Sequence, residues 1–452
     1  MRVKIQMTLP KLGIAWMFAL VTINFNRVAI YDLKISALLI TTMIGLYPFF
    51  GPLQPMFGKI TDRFPIMGYR RSPYLLIGMF LGSIIFLPMP AVVEGISKGS
   101  LPALAAGFVL YFIFGISIAL MANTYLDLVA DVTTDETRSG VFAAAWTGQT
   151  GIIVVWAFIF SLVMPDFSLE AMQRLYNLTP IVVMIMAVLS VIGLERRLTP
   201  TEVEQVRKAP PRTITNNPIT AAMALLSRNP AAQNFFFYIL LVFPAIFLQD
   251  ALQEVFGGEV LHLTVGQTTV FQQIFNGAVM IGMGMTAALG GRALGSNLTT
   301  PDLPLEQKKR IAAFGGFCVV ICLALQALSA WIASQLLFNI ALGVLGLSVG
   351  IFTMASITMM SDMTVEGQTG IYLGLWSLAQ AVGLGLSFII GGALHSLLIG
   401  SGLMSSVAGY TTIFGLEALF MLWCVLMVRG ISLEALRRYA ATAPRGVRAS
   451  AV

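Results

Sequence analysis

Asp131-Val132-Thr133-Thr134-Asp135-Glu136-Thr137-Arg138-Ser139-Gly140 is followed by Trp146 and Gln149, and Asp362-Met363-Thr364-Val365-Glu366-Gly367-Gln368-Thr369-Gly370 is followed by Trp376 and Gln380. Asp, Thr, Gly and Trp recur in the same order at a separation of about 231 residues, close to half the chain. Duplication is the simplest account, so whatever unit surrounds the first copy should surround the second. The first copy lies between the fourth and fifth apolar stretches and the second between the tenth and eleventh.

The apolar stretches run at about 12 to 31, 36 to 58, 73 to 93, 102 to 127, 140 to 163, 176 to 194, 233 to 250, 268 to 291, 311 to 331, 335 to 360, 369 to 392 and 408 to 428. Of 452 residues, 57% are hydrophobic and 11% charged, against roughly 25% charged in a soluble domain. That balance excludes a water-soluble enzyme. At about 20 residues per crossing the length accommodates roughly a dozen transmembrane helices. The first stretch holds Asn24, Asn26 and Arg27 and runs directly into the second, which predicts a retained helix rather than a removed leader.

Placing both termini in the cytoplasm puts 23 of the 27 basic residues on that side and leaves over Arg27, Lys34, Lys98 and Arg174. The positive-inside rule therefore predicts cytoplasmic termini. It also accounts for the net charge of +6 without a nucleic-acid partner. The basic tail from Arg437 to Arg448 is assigned to anchoring or to anionic lipid. Cys318, Cys322 and Cys424 lie in apolar runs without metal or disulfide spacing and read as small core residues.

The interval from Glu195 to Ala232 is the longest hydrophilic stretch and carries Pro200, Pro210, Pro211, Pro218 and Pro230. It reads as an irregular tether in which Glu202 to Lys208 can form a short surface helix. The expected organisation is a six-helix half over 1–194, a cytoplasmic linker over 195–232, a second half over 233–428 and a basic tail over 429–452. The expected fold is an all-α polytopic membrane protein, twelve transmembrane helices in two six-helix repeats. That is the architecture of the major facilitator superfamily. The loop Gly58 to Arg71, with Asp62, Arg63, Arg70 and Arg71, resembles that superfamily's loop after its second helix.

With Asp131, Arg138 and Asp362 these residues form a candidate cytoplasmic latch, glycine allowing close approach and Asp62 meeting nearby arginines. The matching loop at Gly290, Gly291 and Arg292 is degenerate, so a latch should sit mainly in one half. The plain alternative is that the charges only fix topology.

Ionisable groups within a bilayer are costly and mark functional candidates. Asn26 and Arg27 in the first helix, and Gln249, Asp250, Glu254 and Glu259 at the end of the seventh, form a candidate ligand-binding or inter-half site. The partner of Arg27 could be a carboxylate, a backbone carbonyl or a ligand oxygen, an Arg27–Asp250 ion pair being the structural alternative. Asp127 and Asp131, which end the fourth stretch, could form a proton site and read first as boundary residues beside Arg138. Glu417 is the candidate proton site, because a lone carboxylate finds a partner across helices or is protonated. His262 and His395, both read as helix-end residues, are the only imidazoles that could ligate the magnesium of a tetrapyrrole. No protein-bound metal set and no nucleotide loop, HExxH helix or GxSxG turn is present. The 30 Phe and 24 Met suit lipid contact, packing or a large apolar ligand.

Asn26-Arg27-Val28-Ala29-Ile30, Gly68-Tyr69-Arg70-Arg71-Ser72-Pro73-Tyr74 and Gln249-Asp250-Ala251-Leu252-Gln253-Glu254-Val255-Phe256-Gly257-Gly258-Glu259-Val260 resemble the bacteriochlorophyll and chlorophyll delivery family, the PucC and LhaA group of the superfamily. The Asp62-Arg63-Phe64-Pro65 wording is similar to its cyanobacterial-type branch. The resemblance implies a non-enzymatic factor in a photosynthetic membrane that holds chlorophyll or bacteriochlorophyll for antenna polypeptides or photosystem subunits. It also implies importance for Arg27, Arg70, Arg71, Asp250, Glu254 and Glu259. A proton-coupled small-solute transporter and a structural subunit of a photosynthetic complex are the competing readings.

Overall fold

The computed structural model describes residues 2–208, 225–227, 229–293, 302–364, 369–432, 434–436 and 438. The middle of the second repeat copy (365–368), part of the linker (209–224 and 228), residues 294–301 and most of the basic tail lie outside the described residues. Eleven described helices are long and apolar enough to cross a membrane: α1 (Arg2–Asp32), α2 (Ala37–Arg63), α3 (Ser72–Ser97), α4 (Leu101–Val132), α5 (Gly140–Val163 within Asp135–Val163), α6 (Leu169–Val191), α7 (Pro230–Glu259), α9 (Leu305–Trp331), α10 (Gln335–Asp362), α11 (Tyr372–Gly400) and α12 (Ser406–Gly430). Between α7 and α9 stands α8 (Val265–Ala293), whose 29 residues extend about 43 Å, enough for a twelfth crossing although Gln267, Gln272, Gln273 and Asn276 make it more polar. The chain is an integral membrane protein with the expected all-helical organisation.

The chain forms two compact units, Met1–Pro211 with Gln253–Gln273, and Arg212–Leu252 with Ile274–Val452. The sequence division differs at one place: Gln253–Gln273, the end of α7 and the start of α8, packs with the first unit. In the tether, the short helix expected at Glu202 to Lys208 forms over Pro200–Lys208.

Several helices are broken where polar groups enter them. α1 is α-helical to Ala19 and then π-helical over Leu20–Phe25 and Val28–Asp32, with Asn26 and Arg27 between the two π turns. α7 stops being α-helical after Phe247, passes through a 3₁₀ turn at Gln249–Ala251 and resumes at Gln253–Glu259. Pro244, inside the helix, removes a backbone donor just before that break. Such interruptions are tolerated at membrane depth only where protein or water satisfies the freed backbone groups, so they mark where polar side chains do structural or functional work.

Between apolar helices inside a bilayer there is little hydrophobic driving force, and close backbone approach replaces it. In the second unit Gly282, Gly346 and Gly350 bring α8 and α10 together so closely that an added Cβ would strike the carbonyl oxygen of Leu347, Phe275 or Val279 respectively. None of the three cysteines forms a disulfide, and Cys322 and Cys424 are buried as expected of core residues.

Candidate functional site

At the end of the first unit that carries the N-terminus, the α2–α3 loop builds a charge hub on Arg71. This guanidinium is only 4% exposed. Its Nη2 donates to Asp62 Oδ1 at 2.5 Å, its Nη1 lies 3.2 Å from Asp127 Oδ2, and its Nε donates to Asp131 Oδ2 at 3.2 Å. Nη1 also donates to Thr61 Oγ1. Burial alone would lower the Arg71 pKa, but Asp127, Asp62 and Asp131 outweigh it and hold the group above its ordinary value, so it stays charged. Arg70 donates to the same Asp62 oxygen at 2.7 Å.

Glu195, just past α6, holds the loop from the other side. Its Oε1 accepts from the backbone N–H groups of Arg70 and Arg71 at 2.6 and 2.9 Å, and its Oε2 from Ser72 N–H at 2.7 Å. A carboxylate is thereby set against the orphan donors at the start of α3, where the helix dipole favours negative charge. Gly68 turns the loop at φ +84°, and its carbonyl accepts from Leu198 N–H at 2.8 Å. The structure thus brings together Asp62, Arg70, Arg71 and Asp131 of the candidate latch. Gly58 supports them by letting Asn123 of α4 approach α2.

Two expected members are elsewhere. Arg63 is exposed with its guanidinium over the Phe64 ring. Arg138 donates to Thr133 Oγ1 and to the Ala130 carbonyl, both at 3.4 Å, placing positive charge on the C-terminal end of α4. Asp127, near the same end of α4, joins the hub through Arg71 Nη1.

The second unit repeats the arrangement in reduced form. Asp362, the counterpart of Asp131, accepts from Lys308 Nζ at 2.7 Å, and Lys308 at the start of α9 is 2% exposed. An ion pair between the helix-three and helix-four ends of each half is the three-dimensional form of the sequence repeat. The degenerate Gly290-Gly291-Arg292 loop does not foretell this second pair, because Lys308 lies beyond it in a run of three basic residues that reads only as topology.

At the opposite end of the first unit, buried Arg27 meets a carboxylate and a carbonyl together. Its Nη1 donates to Asp32 Oδ2 at 2.6 Å and its Nη2 to the Leu263 carbonyl at 2.8 Å. The guanidinium carbon also lies 5.0 Å from the centre of the Tyr31 ring, and Glu254 and Asp166 add Coulombic attraction. Within the first unit the carboxylate on Arg27 is Asp32, five residues on.

The Gly257-Gly258 pair explains how the end of α7 fits here. A Cβ on Gly258 would lie 2.7 Å from the Tyr31 ring, and one on Gly257 would lie 2.7 Å from Phe271 and Thr268. Gln253 and Glu254 are buried in this same short helix, whereas Glu259 at its end is partly exposed. Asn26 is buried beside Arg27.

Glu417 finds its partner across helices. It is 2% exposed, and its Oε1 accepts from Gln249 N–H at 3.0 Å where α7 breaks. Gln326 of α9 donates to the Gln249 side chain at 3.4 Å, and Asp250 lies on the same 3₁₀ turn. Glu417 thus caps a helix break, and its Oε2 has no hydrogen-bond partner among the described residues.

The two histidines have different surroundings. His262 is exposed at φ +54° in the turn before α8. His395 is not beyond α11 but within it, buried with its ring 5.7 Å from that of Tyr410. No cluster of three metal-ligating side chains occurs among the described residues. Glu195, Asp32, the Leu263 carbonyl and Lys308 carry no local sequence signal for these contacts, since each is tens of residues from its partner or, for Asp32, indistinguishable from a loop charge.

Twelve long helices among the described residues, in two units and broken and held by polar groups at their ends, define a protein with the fold of the major facilitator superfamily. The chain superimposes on the nucleoside transporter NupG with a TM-score of 0.70 at 13% identity, covering 95% of this chain and 99% of that one. Residues 24–436 match the family model described as PUCC protein, and the chain belongs to that family. It is 26% identical over 437 residues, 94% of each chain, to a Rhodobacter capsulatus protein named Bacteriochlorophyll synthase 44.5 kDa chain. A Rhodobacter capsulatus Protein PucC is 22% identical over 432 residues, 92% of this chain and 89% of the relative.

Proposed function

We propose that this protein is a non-enzymatic assembly factor of a photosynthetic membrane, which holds chlorophyll or bacteriochlorophyll and hands it to antenna polypeptides as light-harvesting complexes form. The family match from residue 24 to 436 carries the reading. The pigment in the name of one relative supports it, as does a membrane interior rich in Phe and Met and poor in the polar groups that a sugar or amino-acid site needs. With both termini cytoplasmic, the Arg71 hub stands at the cytoplasmic face, where it ties α2, α3 and α4 into one rigid end. The Arg27 cluster then stands at the outer face, fastening the end of α1 to the turn before α8. Arg27 removal should loosen that turn, because Asp32 would lose its charge partner and the Leu263 carbonyl its donor.

The test is an absorption spectrum and pigment extraction of protein purified in mild detergent from a photosynthetic membrane, beside the Arg27→Ala variant. A stoichiometric tetrapyrrole in the wild type, diminished in the variant, is the expected result. A colourless, folded wild type rejects the reading. Proton-coupled solute transport is the second reading, favoured by the buried Glu417 with one oxygen unpartnered among the described residues. Proton-dependent uptake that disappears in Glu417→Gln would support it.

A further inference from the structure

The two tryptophans of the sequence repeat have different surroundings. Trp376 is 0% exposed, stands edge-on to Phe235 with ring centres 4.8 Å apart and donates its indole N–H to the Met363 carbonyl at 3.1 Å, so packing accounts for it. Trp146, its counterpart on α5, is 58% exposed and is met instead by an ammonium: Lys11 Nζ of α1 lies 4.5 Å from its ring centre and 4.9 Å from that of Tyr125 on α4.

Lys11 has no carboxylate within ion-pair distance among the described residues. It stands nine residues into the 31-residue α1, about 13 Å along its axis, whereas a centred hydrocarbon layer of about 30 Å begins about 8 Å from either end. Two ring faces compensate an ammonium by less than its desolvation costs. A further buried polar atom, the Tyr125 hydroxyl, also lacks a hydrogen-bond partner among the described residues and can donate to an anionic oxygen. Packing explains none of these features. A bound ligand with an anionic oxygen and a flat conjugated body would explain them together: the oxygen pairs with Lys11 and the ring system stacks on the exposed indole.

We propose that Lys11, Tyr125 and Trp146 form a binding site for a flat conjugated carboxylate. Resting on the pigment-handling reading, the site selects a tetrapyrrole whose propionate is free over one whose propionate is esterified.

The probes are chlorophyllide a and chlorophyll a, which share a macrocycle and differ in that ester. Binding is read by quenching of tryptophan fluorescence, with the full chain in detergent micelles and protein-free micelles as blank. Wild type should bind chlorophyllide about tenfold or more tightly than chlorophyll, the scale of one charge-assisted contact. Lys11→Gln should bind both pigments alike, Lys11→Arg should keep the preference, and Trp146→Leu should weaken both. Equal binding of the two pigments by wild type overturns the site while leaving pigment handling in place, and needs no variant to fold. A preference that survives in Lys11→Gln also overturns it. Wild type that binds neither pigment overturns both the site and the reading beneath it.

Discussion

Replacing Arg71 by Ala should destabilise the first unit more than any other single charge removal in it. The guanidinium is the common partner of Asp62, Asp127 and Asp131, at 2.5, 3.2 and 3.2 Å. Without it three carboxylates face one another across the ends of α2 and α4. Removing one member of a buried pair costs about 3–5 kcal/mol because the remaining charge is left uncompensated. These carboxylates are about a third or more exposed and can rehydrate, which discounts the figure to about 2–4 kcal/mol.

For a unit of this size about 3 kcal/mol corresponds to a fall in melting temperature of roughly 6–12 °C. Thermal unfolding in detergent, followed by the loss of the monodisperse peak, measures it. Arg71→Lys should fall in between, since a point charge cannot serve three carboxylates in fixed directions. A variant melting within about 2 °C of wild type at pH 7 would refute the hub as a structural element.

Three further outcomes follow from named contacts. Gly258→Ala should cost about 1–3 kcal/mol by driving a methyl against the Tyr31 ring, whereas Gly277→Ala, with nothing within 4 Å of the added Cβ, should stabilise by about 0.4–1 kcal/mol; paired melting curves separate the two. Glu417→Gln should melt within about 1 kcal/mol of wild type and retain any pigment, because the amide oxygen still accepts from Gln249 N–H; a large loss of stability would show that the carboxylate's charge matters. Arg27→Ala should reduce antenna assembly as well as pigment content, whereas Asp250→Ala should reduce them less, since Asp32 is the charge partner of Arg27; equal defects, read from membrane absorption at matched protein abundance, would contradict that ranking.

Helix number, the two-half organisation and the repeat were determined by the sequence itself, for a physical reason. A bilayer requires about 20 apolar residues per crossing, so spans stand out in composition, and a duplicated unit leaves Asp131 and Asp362, Trp146 and Trp376 in step. The loop from Gly68 to Ser72 and the polar ends of α1 and α7 were visible in the same way, because polar groups beside apolar runs are costly enough to be conspicuous. Partners were not visible. Asp32 meets Arg27, Glu195 crosses more than 120 residues to hold the start of α3, and Lys308 rather than a residue of the degenerate loop meets Asp362. Each of these depends on which helix ends lie side by side, which periodicity does not report. The fate of the duplicated tryptophans also belongs to tertiary structure: identical residues at equivalent positions became a packed core ring in one half and an exposed face beside an ammonium in the other, because Phe235 covers the first and Lys11 meets the second.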